Sequence, residues 1–145
     1  MDIDKPIPIK DVELSRVEIV QSHFKVHSHP TPGSTGQINY SVRTKQDFKT
    51  EENATCPSLL IERVEATLAA LLGETSDKVE GREQLFSCDI ELALYYNIST
   101  PKHSAEEILA FQWHFHTHAC LLARSVIKDM LKDTVFASVP VPFGA

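Results

Sequence analysis

Within eight residues the run Trp113-His114-Phe115-His116-Thr117-His118-Ala119-Cys120 places three histidines and a cysteine. Set on a helix, His114 and His118 stand at i and i+4 on one face, a spacing that chelates Zn²⁺ or Ni²⁺, and His116 pairs the same way with Cys120. The two pairs point to different sides. The metalloprotease pattern His-Glu-x-x-His also fails, because Phe115 follows His114 and supplies no general base. His27 and His29 offer a composite site that their spacing does not support. These side chains read as polar flanks of a helix with no metal, and a metal-binding protein built on His114 to Cys120 is the rival reading. Nucleophilic chemistry has less to stand on, since there is no Gly-x-Ser-x-Gly elbow and no Gly-rich phosphate loop. The carboxylate pairs Asp89/Glu91 and Glu106/Glu107 read as wet-face and helix-start charges. The expectation is a protein that is not an enzyme and takes no cofactor.

The elements that position these residues are clearest in the C-terminal third. From Phe86 to Ile98 the even positions Phe86, Cys88, Ile90, Leu92, Leu94, Tyr96 and Ile98 alternate with Ser87, Asp89, Glu91 and Asn97, which is the pattern of a half-buried strand. From Ser104 the period changes. Ile108, Phe111, Phe115, Ala119, Leu122 and Val126 recur at three and four residues, predicting one long amphipathic helix over 104–132. Ser104 has the position of its N-cap, with Glu107 at capping-box spacing and Pro101 just outside. Trp113, Leu121 and Leu131 fall off the main stripe, so a single sheet does not cover the whole helix. Self-association or a tail folded back over the helix would cover the rest.

Earlier in the chain, Val12 to Val26 predicts a long strand whose alternation slips near Arg16 to Glu18, as a bulge would make it. Residues 27–37 are dense in turn formers and predict a crossover loop, and Ile38, Tyr40 and Val42 open a second strand. The segment Leu59 to Leu72 is ambiguous. Leu60, Val64, Leu68, Leu71 and Leu72 have helical spacing among good helix formers, while the turn-like stretch Gly73 to Gly81 after them suits a meander of strands.

Several of these features together resemble the SecB-type protein-export chaperones. The similar residues are the Gly-Glu turn in Leu71-Leu72-Gly73-Glu74 and the strand Leu85-Phe86-Ser87-Cys88-Asp89-Ile90-Glu91. Ala123-Arg124 follows inside the long helix with Ile127 and Met130 behind, then a tail with Phe136 and Val139-Pro140-Val141. With a first strand ending in Phe24, the likeness spans roughly residues 8 to 142. It implies an α+β fold in which a four-stranded antiparallel sheet carries one long C-terminal helix on one face, and it makes 59–72 a strand. The single domain 1–145 then divides into a flexible N-terminus 1–8, the crossover 27–37, the helix 104–132 and a tail 133–145. The resemblance also implies a homodimer or homotetramer.

Gross properties agree with a binding module. A chain of 145 residues has the length of one domain. Fourteen Lys and Arg against 20 Asp and Glu give a net charge of −6, and no basic cluster is present, which disfavours nucleic-acid binding. No apolar run approaches a membrane span, and the start Met1-Asp2-Ile3-Asp4-Lys5-Pro6 lacks the parts of a signal peptide, so a cytoplasmic protein is expected. Cys56, Cys88 and Cys120 are odd in number and far apart, and read as free thiols.

The function the resemblance implies is ATP-independent holding of unfolded or partly folded polypeptide, for export or for one dedicated partner such as an antitoxin. Its client-binding positions here are Phe24, Phe136, Val139 and Val141, with Phe143 nearby. Ordinary core packing is the competing role for each. An acidic wet face with Glu62, Glu65, Asp89 and Glu91 would meet a basic partner, a translocation ATPase being the family's example. Two departures matter. Residues 27–37 carry His, Ser, Pro, Thr, Gly and Gln where the family has bulky aromatics, which implies a shallower client site. After Ala145 the family's final helix and tail have no counterpart, which makes coupling to secretion less expected than the fold. A relative that keeps the fold without chaperoning is the remaining alternative.

Overall fold

The computed structural model describes residues 8–29, 36–73, 83–99 and 102–143. Four strands, β1 Val12–Val26, β2 Gly36–Lys49, β3 Leu59–Leu72 and β4 Gln84–Ile98, form one antiparallel sheet in the order β1-β4-β3-β2. β2, β3 and β4 are a meander, whereas β1 pairs with β4, so the chain passes from one sheet edge to the other between Val26 and Gly36. That passage is the expected crossover at 27–37, of which 30–35 lie outside the described residues. The turn positions 74–82 and most of the expected flexible start, 1–8, lie outside them too; Pro8–Asp11 is a single 3-10 turn leading into β1.

β3 is a strand, and its neighbours explain why helical spacing misleads there. Leu60, Val64, Leu68 and Leu72 are four apart, which is one face of a helix and equally one face of a strand. All of β3 pairs with β2, and most of it with β4 as well. Its even positions from Leu60 to Ala70 are buried under the helix layer, and Ile61 and Leu71 on the opposite face are buried too, as suits a central strand.

β1 is irregular where its alternation slips. The register against β4 shifts twice, between Leu14 and Arg16 and between Ile19 and Gln21. Each extra residue reverses parity, so Val12 and Leu14, then Val17 and Ile19, then Phe24 and Val26 fall opposite core-facing residues of β4. The two slips keep an apolar face aligned with the sheet.

The helix expected over 104–132 is interrupted. Ser104 caps α1, Ala105–Leu109, with both capping-box bonds formed. At Ala110-Phe111 the ladder gives way to i→i−3 bonds, Phe111 N–H to Ile108 and His114 N–H to Phe111, and Phe111 leaves the helical region at φ −107° and ψ 23°. α2, Gln112–Leu131, then lies over β2, β3 and β4. Its buried stripe is Phe115, Ala119, Ala123, Ile127 and Leu131, a four-residue row, with Leu122 and Val126 only partly buried. Leu131 therefore belongs to the core, while Trp113 and Leu121 are 62% and 48% exposed.

The tail does fold back. Phe136 stacks on Phe86 at 4.4 Å between ring centroids, and Phe86 in turn meets Phe24 at 5.8 Å. Arg124 Nε donates to the Val141 carbonyl at 2.8 Å and pins the tail against α2.

Candidate functional site: an apolar cleft at the sheet edge

Where the tail passes the edge strand β2, a cleft of about 290 Å³ opens, with Ile38, Ala70, Leu85, Val135, Phe136 and Val139 among its lining residues. β2 supplies Ile38 from the helix-side face, β3 and β4 supply its floor, and the tail supplies the outer wall. Gly36 forms one end. A Cβ there would come within 3.0 Å of the Leu71 carbonyl oxygen, so a larger residue would push β2 from β3.

The five positions assigned to client binding separate in space. Val139 lines this cleft and also a broader groove between α2 and the tail, where Leu121, Arg124, Val126 and Val141 meet it. Phe136 reaches the cleft with one edge but is 97% withdrawn from solvent, and Val141 is nearly as buried. Both are core residues first. Phe24 is half-buried behind the Phe86 ring, and Phe143 is exposed without lining the cleft. Val135, 65% exposed on the rim, was not among the expected positions. Its place in an irregular tail gave no periodic signal.

The acidic face holds three of its four expected members. Glu65, Asp89 and Glu91 line a shallow depression on the sheet face away from the helices, beside Gln21 and Thr67. Glu65 and Glu91 are directly opposite across β3 and β4, a like-charge pair that costs stability, and Arg43 relieves Glu65 at 3.2 Å. Glu62 is not on this face. Its register partners are Gln46 and Leu94, which places it under α2 with no solvent exposure.

The histidine run is shared out between strands. His116 Nδ1 meets Thr44 Oγ1 of β2 at 3.2 Å, and its Nε2 lies 3.5 Å from Cys120 Sγ. His118 Nδ1 meets Tyr96 Oη of β4 at 2.7 Å, while His114 lies edge-on to Trp113 and Phe115. His27 Nε2 is 3.0 Å from Ser87 Oγ. Among the described residues no group of three or more His, Cys, Asp or Glu is placed to hold a metal ion. Burial pushes the Cys88 thiol up to about 11 and raises Cys120, so neither is a ready thiolate.

Comparison with solved structures finds this architecture in the SecB-like chaperone Rv1957 of Mycobacterium tuberculosis, in complex with a ChAD peptide from the Rv1956 HigA1 antitoxin. The TM-score is 0.68 at 13% identity, covering 92% of this chain and 91% of that one. The fold is SecB-like. No family model matches the sequence, and no curated protein matches it. Among the described residues no helix is long and apolar enough to cross a membrane.

Proposed function

We propose that this chain is the subunit of an ATP-independent holdase that captures unfolded or partly folded polypeptide, without enzymatic activity and within the cytoplasm. The observation that carries this reading is the cleft in which Ile38, Ala70, Leu85, Val135, Phe136 and Val139 meet, more apolar than polar, with Gln37 and Ser138 also in its lining, and open beside an edge strand. An extended client segment offers alternate side chains at the spacing such a cleft accepts, and its apolar surface leaves water at roughly 25 cal/mol per Å². One shallow cleft holds one or two side chains, so useful affinity comes from several clefts engaging one client at once. Self-association into a homodimer or homotetramer supplies them. The peptide bound by the neighbouring fold comes from an antitoxin, which favours a dedicated protein client over general export. The acidic face of Glu65, Asp89 and Glu91 is suited to a basic region of a partner protein, and a translocation ATPase is the less supported candidate.

Light scattering from a chemically unfolded client, diluted with and without this protein in the absence of nucleotide, tests the reading. Suppression that saturates at a fixed subunit ratio is expected; no suppression at severalfold excess would remove the holdase assignment. Val135→Asp and Val139→Ser alter the cleft lining without cutting into the Phe86–Phe136 stack. Each is expected to weaken capture about tenfold, the equivalent of one lost aliphatic anchor.

A further inference from the structure

Beneath α2 lies a polar seam that neither the cleft nor the acidic face uses. Glu62, in the middle of β3, is completely buried, and its Oε1 accepts a 2.9 Å hydrogen bond from Gln46 Nε2. Its Oε2 has no hydrogen-bond partner, and among the described residues no cation pairs with it. On either side, α2 is tied to the sheet by histidine contacts, His116 to Thr44 of β2 and His118 to Tyr96 of β4. The groups turned toward the carboxyl are Gln46 and Thr44 from β2 and Tyr96 from β4, and α2 meets two of them through its histidines, His116 at Thr44 and His118 at Tyr96. Among the described residues no lysine, arginine or second carboxylate stands on this face of the strands. Arg124 of α2 is engaged with Val141.

A buried carboxylate without a cation or a full set of donors is unfavourable, and the same group is tolerated when it carries a proton. We propose that Glu62 is a proton-operated latch that seats the N-terminal half of α2: protonated, it lets the helix close over the sheet, and ionised, it draws water beneath Phe115 and Ala119 and loosens that half. The proton leaves to solvent, and the carboxylate it leaves behind can be hydrated only by opening the seam. Burial holds the Glu62 carboxyl up at about 7, against the pull of the Gln46 and Thr44 hydrogen-bonding groups, so the latch works near neutrality. The C-terminal half of α2, packed through Ile127 and Leu131 and clamped by Arg124, lies outside its reach. This device is independent of the holdase reading, because it concerns the chain's own packing and needs no client.

Hydrogen exchange of the intact protein, corrected for intrinsic rates, distinguishes the outcomes. Between pH 6 and 8 the protection of amides in 112–123 is expected to fall about tenfold in the native chain, while 124–131 and β3 change little. In Glu62→Gln the fall is expected to vanish. An equal fall in both proteins, or one spread evenly over the sheet and all of α2, overturns the proposal. Should the glutamine variant not fold, the carboxyl carbon of Glu62 followed by NMR in the native chain decides the matter: titration near neutrality supports the latch, and titration in the ordinary carboxylate range ends it.

Discussion

Burial ties the stability of this protein to two side chains that resist charge from opposite directions. Glu62 has an ordinary value of 4.5 and is held at about 7 in the fold. Between those values the native chain keeps a proton that the unfolded chain has lost, so stability falls as pH rises through the interval, by about 3 kcal/mol in total, and levels off above it. His118 is lowered, first by burial and then by the nearby His114. The native chain thus binds its proton less readily than the unfolded one, and that contribution is lost as pH falls below the ordinary value of 6.5. The two slopes oppose each other between those ordinary values, and above them Glu62 acts alone. Urea denaturation is expected to show the native protein losing about 1 kcal/mol between pH 6 and 8, with no such loss in Glu62→Leu, where His118 alone leaves a small rise at the acid end of the range. A midpoint that rises with pH in the native chain would show that the carboxyl is already ionised in the fold. The sequence contained the sign of this. Glu62 has the parity of Leu60 and Val64, which sets it on the helix-side face of β3.

At the scale of elements, the sequence was legible where local rules and burial agree. β4 alternates because one face is covered, and the capping box at Ser104 and Glu107 formed as its spacing requires. Ser104→Ala is expected to cost about 1 kcal/mol in thermal or chemical unfolding, and a loss below a few tenths would mean the first turn is held by packing alone. Legibility failed where two periods coincide, as in β3, and where no breaker residue marks an interruption. Ala110 and Phe111 are neither Gly nor Pro, yet the helix turns there, because Ile108 and Phe115 are both drawn fully into the core from separate arms. Tertiary packing, which no local pattern shows, also sets how far Phe136 is exposed. Phe136 was an aromatic in a short tail, a natural anchor for a client, but the Phe24–Phe86–Phe136 stack consumes it internally. Phe136→Ala is accordingly expected to cost about 3–5 kcal/mol of stability. A client-capture defect in that variant would report loosened packing and say little about the cleft.

The whole molecule leaves one side of its helix layer unfinished. α2 covers β2, β3 and β4 but stops short of the edge strand β1, where Val17, Ile19, Val20 and Val26 are 40%, 55%, 46% and 39% exposed. On the outer side of α2, Trp113 and Leu121 add further apolar area. A long edge strand with exposed aliphatics invites pairing, and a protein that remains soluble usually protects such an edge with charge, with bulges or with a partner. Here charges from Arg16 and Glu18 and the two register slips protect part of β1 and leave its aliphatic residues uncovered. Self-association through β1, with α2 facing a second subunit, would bury both apolar areas and bring several clefts within reach of one client. In light scattering coupled to chromatography the native chain is therefore expected at a multiple of its 16.2 kDa monomer mass. Val17→Lys with Ile19→Lys is expected to shift it to the monomer, because paired lysines across an edge repel and keep their ammonium groups in water. Both positions are already 40% or more exposed at the edge of the sheet, so the monomer should stay folded by circular dichroism. If that monomer still suppresses aggregation at the native stoichiometry, a single cleft is sufficient and the multivalent part of the mechanism falls. If suppression is lost while folding is kept, assembly is what turns a shallow apolar cleft into a holdase.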